Sequence, residues 1–506
     1  SNHDEDVPKR IAFDFSGWRK GKIRGEGAVF LFHTDILPFH LDRCHEILIE
    51  GITIDYERTG YSEGEIVELS GKRMVLRIDR KEYPYRVFHG ELYFEEEGAY
   101  HPLYYGCLEM DRRRNAPVYQ GRDISFNRPY PSSYGAVFRE AGENLVEVTL
   151  TEDQQFPETS REGNRMILRH HLRTHPCFYI TGSEGITLRD ITIYHCTGMA
   201  VISQFTKDIT IERVCLVRHP QKDRIFTATA DGFHFVYAGG KIHIKNCVLE
   251  NQLDDPVNIH GIYGRIHKVT SKREVIVELV ESMQKGVLLG TAGDYFAVVD
   301  NRTMLEQEHA VITEITWMNS DYQRIVFAED MENLTPGFVV ENQSWVPDVL
   351  IEGCTFRNNR ARGLLLTSAG DVLVRDNTFE TPGAAILIEG DSNYWFESGA
   401  TRHIVIEGNR FHQCAYVSAW GKAPIQVSPS ALVWEKDRRY HQYLEVRGNV
   451  FQCCDDRLVN AVNLKKLVFL DNKIERTTVF EPIKGQALEL DGVLEVETDI
   501  NKEQQI

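Results

Sequence analysis

A short segment of alternating apolar and polar residues recurs along this chain, and it limits the possible folds more than any other feature. Each copy ends in a large apolar residue, and three pairs of these ends are 23 residues apart: Ile193 and Leu216, Phe356 and Phe379, Phe451 and Ile474. Self-similarity at such a period marks a repeat architecture, and no helical period separates the copies. The repeat therefore predicts strands stacked as the coils of a right-handed parallel β-helix.

The repeat has nine copies, and its fourth position changes character along the chain. The copies start at Ile49, Leu188, Ile211, Ile244, Ile351, Val374, Ile406, Val446 and Phe469. The fourth position is apolar or cysteine in the first five copies and asparagine in the last four. We expect the apolar residues and thiols to stack in the core, and the asparagines to form a hydrogen-bonded ladder at a turn. Such a ladder supports folding and is not predicted as a functional site.

Two long gaps interrupt the repeat, and both contain antiparallel signals. In the first gap, Ser70-Gly71 separates two alternating runs as a hairpin turn would; the second gap begins directly after His260-Gly261. The sequence thus predicts an all-β fold, a right-handed parallel β-helix with two inserted small antiparallel β-barrel domains. Its predicted parts are a β-helix start at 1–56, a first barrel at 57–175, coils with the candidate site at 176–263, a second barrel at 264–345 and C-terminal coils at 346–506.

Composition excludes several classes of function. The formal charge of −18 argues against nucleic-acid binding and, more weakly, against a polyanionic substrate. No apolar run reaches the roughly 18 residues of a membrane span. Ten cysteines without dense spacing or a Cys-x-x-Cys pair predict core thiols. The chain opens on Ser1-Asn2-His3-Asp4 without a signal peptide, which is compatible with a removed upstream segment.

Two acidic motifs lie between copies of the repeat: Ala230 to Phe235 (ADGFHF) and Leu253 to Gly261 (LDDPVNIHG). Asp231 and Asp254 are 23 residues apart, which is also the repeat period. If one period is one coil, they occupy equivalent positions on neighbouring coils, about 4.8 Å apart along the stack. With Asp255, three carboxyl groups would then share one small patch, near the roots of both insertions.

This patch has the residues that glycosidic bond cleavage requires. One carboxylic acid protonates the leaving oxygen, and one carboxylate activates water or attacks directly. Asp254 and Asp255 would diverge on a regular strand, so we expect a bend fixed by Pro256. Crowding should raise the pKa of at least one carboxyl. Aspartates are also common in ordinary turns, and an oxygen-rich cluster binding calcium is the next alternative.

The sequence resembles glycoside hydrolase family 110, the inverting exo-acting α-1,3-galactosidases with a right-handed parallel β-helix and inserted β-barrels. The resemblance extends over nearly the whole chain and includes Ser1 to Asp4, Lys9 to Phe13, Phe30 to His33, both acidic motifs and Asn393 to Gly399. It implies that Asp254 is the general acid and that Asp231 and Asp255 prepare the attacking water. The polygalacturonase family has a similar aspartate arrangement, but usually with Asn-Thr-Asp where this chain has Thr229-Ala230-Asp231, and its Arg-Ile-Lys motif has no match here.

Six further residues are predicted to bind substrate: His234, Asn258, His260, Arg362, Trp395 and Glu397. Trp395 offers an aromatic face for galactose C–H groups, although a core tryptophan is the alternative. Arg362, with Arg360, could bind sugar hydroxyls or pair with the aspartates, and exposed turn arginines are equally compatible with the sequence. Asn258 could instead cap a turn.

We therefore expect an exo-glycosidase that removes terminal α-1,3-linked galactose from oligosaccharides or glycans with inversion, without a cofactor or metal. The alternatives are a polygalacturonase-like β-helix glycosidase and a non-catalytic carbohydrate-binding β-helix. Its expected partner is a galactosyl glycan, not nucleic acid or membrane, and a monomer and a homodimer are both compatible with the sequence. Secretion or periplasmic location is an expectation from the family resemblance.

Overall fold

The computed structural model of the chain describes residues 9–129, 133–151 and 153–500. The sequence motif Ser1-Asn2-His3-Asp4 lies outside these residues. Strands dominate the described part, where the single helical element is a 3₁₀ turn at Ser282–Gln284. No helix of that part is long and apolar enough to cross a membrane.

Two long parallel sheets form the body of the molecule. The sheet that carries the acidic motifs, here called the site sheet, contains Ile11–Asp14, Leu37–Asp42, Phe178–Thr181, Val201–Gln204, Phe233–Val236, Val257–Ile262, Leu364–Leu366, Ile386–Ile388, Ile425–Val427, Val459–Val462 and Leu488–Asp491, with Glu397–Ser398 added antiparallel to Val257–Ile262. Successive strands of this sheet are parallel neighbours, so each belongs to one coil of the β-helix.

The second parallel sheet, here called the repeat sheet, is formed by the repeated segments and the strands that continue them. It contains Lys22–Phe32, His45–Tyr56, Glu184–Ile193, Lys207–Leu216, Gly239–Lys245, Val248–Glu250, Pro347–Glu352, Thr355–Arg357, Asp371–Arg375, Thr378–Glu380, His403–Glu407, Arg410–His412, His441–Arg447, Val450–Cys453, Leu464–Leu470, Lys473–Arg476 and Glu495–Thr498.

The register of the repeat sheet follows the sequence repeat. Its pairs join Ile193 to Leu216, Phe356 to Phe379 and Phe451 to Ile474. Apolar positions of the repeat are buried in one continuous core with the inward residues of the site sheet. The predicted fold class, with its right-handed parallel β-helix, is confirmed.

The third position of every repeat copy forms a corner of the coil. All nine residues there have a positive φ, between 51° and 73°: Gly51, Asp190, Arg213, Asn246, Gly353, Asp376, Gly408, Gly448 and Asp471. Glycine, asparagine and aspartate tolerate this left-handed conformation better than other residues do, which explains eight of the nine. Sequence reasoning passed over this column, although its composition was a turn signal.

The predicted asparagine ladder is present immediately after these corners. Asn377 donates through Nδ2 to Asn409 (3.0 Å), Asn409 to Asn449 (3.1 Å) and Asn449 to Asn472 (3.0 Å). Backbone N–H groups of the same residues donate to the same side-chain oxygens. The ladder therefore satisfies polar groups that each corner leaves inside the coil.

The first insertion is built on an antiparallel sheet. Its seven strands are, in spatial order, Ala116–Pro117, Leu108–Asp111, Arg165–Leu168, Ser62–Ser70, Arg73–Arg77, Leu145–Leu150 and Ala136–Gly142. Smaller sheets pair Ser125–Phe126 with Ser133–Tyr134, and join Tyr85–Phe88, Glu91–Glu96 and Ala99–Pro102. A separate apolar core holds these strands together.

The second insertion is a closed six-stranded antiparallel barrel. In order around the barrel its strands are Gly264–Ser271, Glu274–Glu278, Tyr322–Phe327, Leu305–Trp317, Tyr295–Asp300 and Val339–Asn342. The barrel begins two residues after the site-sheet strand Val257–Ile262 ends, so it is rooted beside the second acidic motif. All ten cysteines are free thiols, and eight of them are buried.

Candidate active site

The three aspartates of the acidic motifs and Arg362 lie just before three neighbouring strands of the site sheet. Asp231 comes two residues before Phe233–Val236, Asp255 two before Val257–Ile262, and Arg362 two before Leu364–Leu366. Because these strands are parallel neighbours, the turns meet at one edge of the sheet. The backbone bends at Asp254 and again at Pro256, on either side of Asp255, as expected for adjacent residues that serve one site.

The alignment of the aspartates differs from the prediction. Phe233 pairs with Val257, 24 residues later, and the N–H of Gly232 donates to the Asp255 carbonyl (2.9 Å). This register places Asp231 beside Asp255, so the expectation that Asp231 and Asp254 occupy equivalent positions was wrong. The reason is one extra residue in this coil relative to the 23-residue period. Asp254 is therefore offset from Asp231 by more than one coil step.

Gly232 allows the two coils to approach closely at this point. A Cβ atom at position 232 would lie 2.5 Å from the carbonyl oxygen of Pro256 and 2.2 Å from a side-chain carbon of Leu249. Both distances are far below van der Waals contact. The glycine that follows Asp231 is thus required by packing between coils.

Asp254 is enclosed by arginines. Arg173 Nη2 lies 2.5 Å from its Oδ2, and Arg360 Nη1 lies 3.5 Å from its Oδ1. Burial alone would raise the pKa of Asp254, but the charges of Arg173, Arg360 and Arg362 outweigh burial and lower it to about 2. Asp254 is therefore ionised in the free protein at neutral pH.

Asp255 forms a two-pronged pair with Arg362. Arg362 donates through Nε to Oδ1 (3.2 Å) and through Nη2 to Oδ2 (2.8 Å), and its backbone N–H also donates to Oδ1 (3.0 Å). Burial raises the pKa of Asp255 to about 6, with Asp254 and Asp231 adding to the effect and Arg362 opposing it. Arg362 thus positions Asp255 and does not project into solvent as a lone turn arginine.

Asp231 contacts imidazoles instead of a guanidinium. Its Oδ2 lies 2.7 Å from Nδ1 of His234, and Nε2 of His234 lies 2.9 Å from Nε2 of His260. Burial, followed by the charge of Asp254, raises the pKa of Asp231 to about 7. The three carboxyl groups therefore have separated pKa values, which is the electrostatic condition for a site that needs both an acid and a base.

Comparison with known proteins found two matching family models and several similar proteins. Residues 62–165 match the family model "GLAA-B beta-barrel domain I", and residues 336–488 match "Right handed beta helix region". Alpha-1,3-galactosidase B of Bacteroides thetaiotaomicron is 28% identical over 463 residues, which cover 91% of this chain and 74% of that protein. Alpha-1,3-galactosidase A of Shewanella woodyi is 27% identical over 488 residues, covering 96% and 78%. The resemblance to glycoside hydrolase family 110 is confirmed.

A solved structure of the Yersinia enterocolitica family 28 exopolygalacturonase is also similar, at 10% identity and a TM-score of 0.34, over 94% of this chain and 72% of that chain. This likeness is too weak to bear on function.

Glu397 joins the cluster from an added strand. Glu397–Ser398 pairs antiparallel with Gly261 and Ile262, and Glu397 Oε1 lies 3.6 Å from Nε2 of His260. Burial raises the pKa of Glu397 to about 8; Arg362 opposes this shift, and Asp231 and Asp255 reinforce it. Glu397 is therefore protonated near neutral pH and can donate a hydrogen bond.

Asn258 and Trp395 lie close by in different surroundings. Asn258 is buried on the site sheet, directly opposite His234 in the register. Trp395 is 42% exposed, so it does not plug the core as the alternative reading had it. Its ring meets that of Tyr394 edge-on, and the backbone N–H of Trp395 donates to Oδ2 of Asp391 (2.5 Å). Trp395 precedes Glu397 by two residues in the chain.

Sequence reasoning missed Arg173 and Asp123, both from the first insertion. Asp123 accepts two hydrogen bonds from Arg360, at 2.8 and 2.6 Å, and so braces that arginine against Asp254. Neither residue belongs to a repeat or a motif, and no spacing connects them to the aspartates. Among the described residues, no group of three or more His, Cys, Asp and Glu side chains is arranged to hold a metal ion.

Proposed function

We propose that this protein is an exo-acting hydrolase that removes terminal α-1,3-linked galactose from oligosaccharides or glycans with inversion. The observation that carries the proposal is the cluster of Asp231, Asp254 and Asp255, whose pKa values are separated to about 7, 2 and 6. Relatives that are similar over nine-tenths of the chain are named alpha-1,3-galactosidases.

The reaction requires a proton on the glycosidic oxygen and a water molecule activated on the opposite face of the sugar. The family resemblance assigns the proton donation to Asp254. In that role Asp254 takes up a proton after substrate binds, because Arg173 and Arg360 hold it ionised in the free protein. Sugar hydroxyls that accept hydrogen bonds from these guanidinium groups would weaken that hold and raise the pKa of Asp254. Asp231 and Asp255 then face the attacking water.

The charge balance of the site favours a neutral sugar over a galacturonate. Arg360 and Arg362 are already paired with Asp123 and Asp255, and Arg173 is paired with Asp254. No surplus positive charge remains in this group to bind a substrate carboxylate, whereas a galactose presents hydroxyls. The exposed ring of Trp395 offers an apolar face for the C–H groups of such a sugar.

The substrate and the stereochemistry can be tested together. The protein is incubated with α-1,3-galactobiose, the fucosylated blood-group B trisaccharide or polygalacturonate, and the product anomer is followed by NMR. Release of β-galactose is the expected result. Initial release of α-galactose contradicts inversion, and turnover of polygalacturonate alone contradicts the substrate.

A pair of variants separates catalysis from simple sugar binding. Asp254→Asn should lower turnover by orders of magnitude, whereas Glu332→Gln removes an exposed carboxylate of the second barrel, paired with Lys272, and should leave turnover unchanged. If the wild type binds the sugars without turning any over, the non-catalytic alternative replaces this proposal. We also propose, from the family resemblance, secretion or periplasmic location, which cell fractionation of the native host tests.

A further inference from the structure

Three hydrogen bonds in series connect Asp231 to a backbone carbonyl inside the protein. Oδ2 of Asp231 lies 2.7 Å from Nδ1 of His234, Nε2 of His234 lies 2.9 Å from Nε2 of His260, and Nδ1 of His260 lies 2.7 Å from the carbonyl oxygen of Gly261. Both imidazoles are buried. We call this series the Asp231 chain.

The carbonyl at the end of the chain fixes where each proton resides. A carbonyl only accepts, so Nδ1 of His260 carries a hydrogen. A neutral His260 then has a bare Nε2, and His234 must donate to it from its own Nε2. A neutral His234 has in turn a bare Nδ1. The hydrogen between this Nδ1 and Oδ2 of Asp231 therefore belongs to Asp231.

A count of the protons leads to the same protonation state. Three contacts need three protons, and an ionised aspartate with two neutral imidazoles holds only two. Burial opposes the alternative with an imidazolium, because it lowers the pKa of His234 well below its usual value and that of His260 to about 4. Asp231 also faces the charges of Asp254, Arg173 and Arg362 and the carboxyl groups of Asp255 and Glu397.

We propose that His260 is a positioning residue that, through His234, holds a proton on Asp231, so that Asp255 is the carboxylate that accepts the proton of the attacking water. This inference rests on the proposed function and divides a role that the family resemblance gives to both aspartates. His234 and His260 then act from inside the protein and not by touching the sugar, which agrees with their burial.

The step balances with this assignment. The water oxygen forms a bond to the anomeric carbon as the bond from that carbon to the leaving oxygen breaks. One water proton passes to Asp255, and the leaving oxygen receives a proton from the general acid. Asp231 keeps its own proton on Oδ2 and accepts a hydrogen bond from the water at its other oxygen.

The proton positions can be measured without any substrate. Protein with ¹⁵N-labelled histidine is examined by NMR at about pH 5.5, where the pKa of Asp231 keeps the chain protonated. Difference spectra with His260→Asn and His260→Gln assign the resonances. We expect a protonated Nδ1 and bare Nε2 on His260, and the opposite tautomer on His234. A bare Nδ1 on His260, or an imidazolium at His234, would overturn the proposal.

The pH profile of kcat/KM tests the consequence for activity. In His260→Asn the shorter side chain no longer meets His234, which can then turn its Nδ1–H toward an ionised Asp231 and stabilise that form. The pH at which kcat/KM falls on the alkaline side should decrease by about one unit. At higher pH the variant should therefore have a roughly tenfold lower kcat/KM than the wild type. His260→Gln keeps an oxygen acceptor near the former Nε2 and should restore the wild-type pH of this fall.

The outcomes distinguish this inference from the proposed function. Two results would mean a structural role only and would contradict the proposal. One is a uniform loss of kcat/KM at every pH in His260→Asn, and the other is an alkaline fall of kcat/KM at the same pH in His260→Asn and His260→Gln. Correct tautomers in a protein that releases no galactose would defeat the proposed function and leave the proton on Asp231 established.

Discussion

The asparagine ladder and the aspartate site occupy comparable places in the coil, because each lies in a turn whose neighbours above and below are equivalent turns. In the ladder, every coil contributes the same neutral side chain, and each Asn donates to the next. In the site, neighbouring coils contribute unlike charged groups, which are paired with arginines or imidazoles. Repetition of one amide side chain stabilises the stacked coils of the ladder. In the aspartate site, where the repetition is broken, charged groups are concentrated and the pKa values of the three aspartates differ.

The largest expected effect comes from removing the acid of the site. Asp254→Asn should lower kcat/KM by about 10²- to 10⁴-fold, because general acid catalysis contributes that range. The melting temperature should also fall, because an amide has one oxygen for two arginines and Arg173 loses its charged partner. A purified variant with wild-type kcat/KM on α-1,3-galactobiose would show that the carboxyl group is no acid.

Breaking the ladder should produce the reverse pattern, a loss of stability without a loss of activity. Asn409→Ala leaves the N–H of Asn377 and the carbonyl of Val374 buried without their side-chain partner, at a cost of about 2–4 kcal/mol. Chemical denaturation measures this cost. Asn472→Ala, at the half-buried end of the ladder, is the matched control and should cost less. Equal costs would mean that the ladder adds nothing beyond local bonds.

The raised pKa of Asp231 should appear in the pH dependence of stability. Its folded pKa of about 7 lies above the usual value, so the folded state binds more protons between about pH 4 and 7, and stability falls as pH rises through that window. Asp231→Asn mimics the protonated form and should melt higher than wild type at about pH 8, with little difference at about pH 4. Asp153→Asn, at an exposed position, should show no such dependence. Melting curves that stay parallel across this range would contradict the shift.

The smallest expected effect concerns the aromatic platform. Trp395→Ala should raise KM about 3- to 10-fold with little change in kcat, because an aromatic contact is worth about 0.5–1.5 kcal/mol. Trp317→Ala removes a ring of similar exposure from the second barrel and should leave both constants unchanged. A fall in kcat alone would place Trp395 nearer to the chemistry than to substrate capture.

The structure could be predicted from the sequence where the coils repeat, but not where the chain departs from the repeat. The repeated segment predicted the pairing of Phe356 with Phe379 and the ladder through Asn449, because similar neighbours impose one register. It did not predict that Phe233 pairs with Val257, since one additional residue in a bend leaves no mark in composition. Arg173 was also beyond reach, because its contact with Asp254 depends on how the first insertion packs against the coils.

Because of the additional residue between Phe233 and Val257, the length of this coil determines which charged side chains are neighbours in the site. Deleting Pro256, with Phe233 still paired to Val257, would restore the 23-residue advance and bring Asp254, with its two arginines, beside Asp231. The same side chains would then form a different set of charged neighbours, without any substitution among them. A single-residue deletion is thus an expected route by which this scaffold could lose or change its chemistry while its core stays intact.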